Sequence, residues 1–97
     1  MEQVTYHPGA LAELHEAMAW YENEHAGLGE RFHDAVEQTV LDLIHYPVAW
    51  APVHGIWRRA LVKGFPYGVI YRKDDEGVYI SAVMHLHRRP DYWRNRE

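Results

Sequence analysis

Cysteine is absent from the 97 residues, which excludes disulfides and any thiolate metal site. No apolar stretch reaches the ~20 residues needed to span a bilayer as a helix. The opening MEQVTYHPG lacks the basic and apolar regions of a secretory signal. Repeats and low-complexity tracts are also missing. These absences predict one domain over residues 1–97, placed in the cytoplasm and without a membrane partner. A chain this short buries roughly 60–70 % of the surface it exposes when unfolded, which allows one modest core and no elaborate cavity.

Basic residues are scarce in the first half. Residues 1–46 hold nine acids and one base, Arg31, a net of −8. Residues 47–97 hold nine bases and five acids, a net of +4, and together the halves give the overall −4. Seven of the nine C-terminal bases are arginine, the residue suited to planar recognition of phosphate or carboxylate. One reading is two oppositely charged layers that attract each other and stay solvated. The other is a C-terminal half that meets an anionic or acidic partner.

Periodicity places the elements. Val4–His7 is a short candidate strand. Pro8 suits the first turn of a helix, where its missing N–H costs nothing. Leu11, Leu14, Met18 and Tyr21 then recur at three- and four-residue steps, an amphipathic helix with Glu13, Glu16 and Glu22 on its wet side. The AGLG stretch ends it, with Gly27 as the breaker. A second helix carries Phe32, Ala35, Val36, Val40, Leu43 and Ile44 on one face and stops at Pro47. Beyond Pro47 the period shortens to two. Ile56–Val62, Tyr67–Arg72 and Val78–His85 read as three strands in a meander. In the last strand, alternation sends Val78, Ile80, Ala82 and Met84 toward the helices and Tyr79, Ser81, Val83 and His85 away.

The fold class is therefore α+β, in the order β-α-α-β-β-β. A helical hairpin packs on one face of a twisted, mainly antiparallel sheet. Two helices can cover only one side, so the second face is expected to be bare and functional. The last strand runs into HLHRRPDYW, residues 85–93, which sets proton carriers, cations and aromatic rings at its end.

Four stretches together resemble the RelE/ParE superfamily of bacterial type II toxins, particularly its ParE-like branch. They are AMAWYE (17–22), GLGERF (27–32), HGIWRRALVKGFPYGVIYR (54–72) and ISAVMHLHRRPDYWRNR (80–96). The resemblance covers nearly the whole chain. It implies a toxin whose operon partner, an antitoxin, binds and silences it, with operator DNA reached only through that complex; plasmid stabilisation is a role of such systems. ParE-like members poison DNA gyrase. RelE-like members cut mRNA on the ribosome. A degenerate relative that only binds is a third possibility.

These alternatives ask for different residues. RNA cleavage by 2′-hydroxyl attack needs a base, an acid and cations around the phosphate. His85, Arg72 and Tyr92 are the catalytic candidates for that reading, with Arg58 or Arg59 and Arg88 as further phosphate holders. RelE-like nucleases place an arginine directly after the tyrosine that opens the middle strand; here Gly68 follows Tyr67, which weakens the parallel. Inhibition of another protein needs a surface rather than a proton relay, and arginine and aromatic side chains dominate such surfaces. Arg58, Arg59, Arg88, Arg89, Tyr92, Trp93 and Arg94 are the partner-binding candidates, Trp93 doubling as a staple for the tail. His85 and His87 could share a strand face as two metal ligands, but no spacing marks a third. Neither a metal nor a cofactor is expected.

Overall fold

A computed structural model describes residues 3–96. The chain runs β1 (Gln3–Tyr6), α1 (Pro8–Glu24), α2 (Leu28–His45), β2 (Ala51–His54), β3 (Trp57–Leu61), β4 (Tyr67–Asp74) and β5 (Gly77–His85), and a 3₁₀ turn at Tyr92–Asn95 follows. The five strands form one sheet in the order β1-β5-β4-β3-β2. β1 is parallel to β5, and the other pairs are antiparallel.

The helices form for the reasons periodicity gives. The His7 imidazole caps α1 by accepting the Gly9 N–H through Nδ1 at 2.8 Å, and Pro8 sits in the first turn. Ala10, Leu14 and Ala17 are buried, with Met18 and Tyr21 packed beside them. Leu11, expected in this stripe, lies at its margin and is 41 % exposed. From α2, Phe32, Val36, Val40 and Leu43 complete the seam. Gly27 adopts φ 88°, the left-handed turn that starts α2. The Glu22 carboxylate accepts the N–H groups of Gly27 (2.9 Å) and Gly29 (3.0 Å), satisfying donors the helix cannot pair internally. Gly29 is required for contact: a Cβ there would lie 2.5 Å from the Met18 carbonyl oxygen.

Beyond Leu11, and Glu13, whose side chain is only 11 % exposed rather than on the wet side, three features of the sheet depart from the expectation. β2 is a strand that alternation does not reveal. Every residue of APVH is exposed, so no burial pattern marks it, and Pro52 reads as a breaker although an edge strand tolerates it. The second departure lies within β5. Pairing steps from Ile70↔Ala82 to Tyr71↔Ile80, so Ser81 is an extra residue, a β-bulge. One inserted residue inverts the faces beyond it. Val78 and Ile80 join the helix-side core as expected, but so does Val83, whereas Ala82 and Met84 turn to the second face.

The third departure is the second face itself, which is not bare. The tail folds back over it, and Trp93, 2 % exposed, packs on Ile70, Ala82 and Met84, flanked by Trp57 and Tyr92. The Trp93 indole N–H donates to the Pro90 carbonyl at 2.8 Å, so its one polar atom is satisfied. The tail therefore supplies a small second core that two helices cannot.

Candidate partner-binding surface

The arginines of the C-terminal half separate by strand register. Arg58 pairs with Tyr71 and Arg59 with Ile70. Tyr71 belongs to the helix-side core and Ile70 to the second one. Arg58 accordingly turns inward, where its Nη1 donates to the Trp50 carbonyl at 2.6 Å and, at 3.4 Å, to that of Val48. The Tyr71 hydroxyl donates to the Pro47 carbonyl at 2.6 Å. Together they tie down the loop between α2 and β2. Arg58 is thus a structural clamp, which removes it from the expected binding surface.

Arg59 lies on the second face, and Gly68 explains how. A Cβ at Gly68 would lie 2.8 Å from Arg59 Cγ. The position where RelE-like chains carry an arginine is here open space that the Arg59 stem fills from the neighbouring strand. Arg59 then borders a cleft of about 550 Å³. Ile70, Met84 and Trp93 are its apolar floor; Val53 and His54 of β2 stand on one side, and Arg89, Pro90 and Arg94 of the tail on the other. Asp91, the only acid among the lining residues, already pairs with Arg89 at 3.4 Å. The result is an apolar floor rimmed by three guanidinium groups.

Arg72 lies on the same sheet face, stacked on Trp57 (5.1 Å) and Tyr79 (4.7 Å) and 3.9 Å from Asp74. His85 projects the other way. It meets the Tyr67 ring edge-on at 5.1 Å and borders a groove of about 560 Å³ between α1 and β5, with Glu13, Ala17, Tyr21 and Val83. Trp20, 60 % exposed, forms its rim. β1 leaves β5 at Tyr6↔Ile80, so the Val83–His85 end of β5 has no strand neighbour on that side among the described residues.

Arg88 lines the groove rather than the cleft, and Tyr92 lines neither. The Arg88 guanidinium lies 3.8 Å from the Tyr92 ring centroid, and Arg96 covers the same ring at 5.0 Å. Burial, and next the nearby Glu13 carboxylate, hold the Tyr92 phenol far above its ordinary value. It stays protonated across physiological pH. The three nuclease candidates do not converge: His85 faces the helices, Arg72 the opposite side of the sheet, and Tyr92 is packed into the tail. The structure assembles Arg59, Arg89 and Arg94 and converts Trp93 from a binding residue into the floor beneath them. Sequence reasoning missed Val53, His54, Ile70 and Met84. The first two sit on the unrecognised strand, and the bulge moved Met84 across the sheet.

His85 and His87 have ring centroids 5.1 Å apart, yet among the described residues no three His, Cys, Asp or Glu side chains gather as a metal site. No described helix is long and apolar enough to cross a membrane.

Comparison with known proteins supplies the family. The model for the ParE toxin of type II toxin-antitoxin systems, parDE, matches residues 4–90. The chain belongs to the ParE toxin family. Among solved structures, a chain described as "Chromosomal ParDE TA system from P. aeruginosa" superposes with a TM-score of 0.68. It is 16 % identical and is covered over 98 % of its length by 90 % of this chain. At that identity the likeness concerns the fold. No curated protein sequence matches. Within this ParE-family chain the family match runs through both helices and all five strands and ends at Pro90. Trp93 and Arg94 of the cleft therefore lie beyond it.

Proposed function

We propose that this ParE-family toxin arrests bacterial growth in the cytoplasm by binding DNA gyrase, and that a cognate antitoxin silences it. The observation that carries this reading is the cleft on the second sheet face. Three arginines surround a preformed apolar floor, the composition of a protein-binding hot spot with an acidic counterpart. A binding surface needs no proton relay, which suits a chain in which His85, Arg72 and Tyr92 are not gathered at one point.

The antitoxin engages the other side. The groove between α1 and β5 offers apolar walls for an amphipathic helix, and an extended segment would add at the end of β5 that lacks a strand neighbour, competing there with Glu13 for the Val83 N–H. Operator DNA would be reached only through that complex.

Induction of the toxin in bacteria distinguishes the targets. The expected result is loss of negative supercoiling in a reporter plasmid before any change in mRNA integrity, with His85→Ala as toxic as the parent. Early mRNA cleavage that His85→Ala abolishes would replace gyrase inhibition with ribosome-dependent RNA cleavage.

A further inference from the structure

One carboxylate joins the groove to the tail. Glu13 projects from α1 with its side chain only 11 % exposed. Its Oε1 accepts the Val83 N–H at 3.0 Å and the Arg96 Nη1 at 3.1 Å, and its Oε2 accepts Arg96 Nη2 at 2.8 Å. Arg88 Nη1 approaches Oε2 at 3.5 Å. Arg96 Nη1 also donates to the Ser81 carbonyl at 2.9 Å, at the bulge. Gly9 leaves the room this needs, since a Cβ there would lie 2.8 Å from the Arg96 guanidinium carbon. Both ends of the segment 88–96 are therefore held by the same acid, and Tyr92 is stacked between the two arginines. That segment carries Arg89, Trp93 and Arg94, which are one wall and part of the floor of the cleft.

We infer that Glu13 is a positioning residue for the cleft: through Arg88 and Arg96 it latches the tail against the sheet and so sets the place of Arg89, Trp93 and Arg94. Glu13 lies outside the cleft and acts on a cleft partner only through these arginines. A two-bond guanidinium–carboxylate pair fixes orientation as well as distance, which a wall built on a segment outside the sheet requires. Glu13 also borders the groove between α1 and β5. The inference rests on the cleft being the surface that meets the target.

The test reads the tail directly. Deuterium exchange of the indole N–H groups is followed by NMR in the full chain, with Trp93 assigned by Trp93→Phe and Trp50, whose Nε1 is buried on the far side of the sheet, as internal reference. Glu13→Gln removes the charge, and Arg96→Gln removes the tail's hold while leaving the Glu13–Val83 bond. Each should speed Trp93 exchange about tenfold, the scale of losing a shielded charge-assisted hydrogen-bond pair, and leave Trp50 unchanged. Arg96→Lys should give an intermediate rate. Unchanged Trp93 exchange, or equal acceleration at Trp50, overturns the latch. Growth arrest separates the two levels. If Arg59→Glu abolishes arrest while the loosened latch variants still arrest fully, the positioning role fails. If Arg59→Glu also has no effect, it is the cleft reading that fails.

Discussion

At the residue scale, the GLGERF stretch is a packing device. Gly27 supplies the positive φ that turns the chain into α2, and Gly29 supplies close contact between helices. Gly29→Ala would push a methyl into the Met18 carbonyl, and the hairpin must open to admit it. The expected loss is roughly 1–3 kcal/mol, the usual range for overpacking, measurable as a lower urea midpoint at unchanged slope. Glu22 contributes through charge. The Gly27 and Gly29 N–H groups hold its carboxyl below the ordinary value of 4.5. A depressed folded value means the unfolded chain takes up the proton first, so this contribution is present above 4.5 and disappears as pH falls through the lowered value. Urea titrations of Glu22→Gln and parent should therefore differ most near neutral pH and converge in acid.

At the element scale, the tail is the least regular segment and closes the second face. Replacing the Trp93 side chain with Trp93→Ala should cost about 3–5 kcal/mol by the usual measure of large-to-small core changes. Chemical denaturation checks this, and a cost under about 1 kcal/mol would show that the tail does not staple the sheet. The same segment shows what the sequence could disclose. Both helices were legible because their apolar residues repeat at the helical period over 17 and 18 residues. β3, β4 and β5 were legible as strands, but the direction of Met84 was not: a one-residue bulge at Ser81 leaves no mark in a run of apolar residues. β2 carries no alternation because both its faces are wet. Arg58 and Arg59 are adjacent, and only the pairing of β3 with β4 decides which one faces the cleft. Trp93 was recognisable as a staple, but the residues it packs on, Ile70, Ala82 and Met84, come from two different strands, β4 and β5.

At the scale of the whole molecule, the charge asymmetry has a partly structural resolution. Glu13, from the acidic half, binds Arg88 and Arg96 from the basic half, so some of the opposed charge is satisfied within the fold. What lines the cleft on the second face is Arg59, Arg89 and Arg94 over apolar residues, with Asp91 the one acid among the lining residues to oppose them. This residue of positive charge, rather than the total, is what a target would meet. The antitoxin reading uses the opposite side of the molecule, and Glu13 lies between the two. The most direct test of the central claim is DNA supercoiling by purified gyrase in the presence of the toxin and of its folded Arg59→Glu/Arg94→Glu variant. The account predicts that the parent inhibits supercoiling and that the double variant loses inhibition by at least about a hundredfold, as reversing two hot-spot charges should. Equal inhibition by both proteins would contradict it.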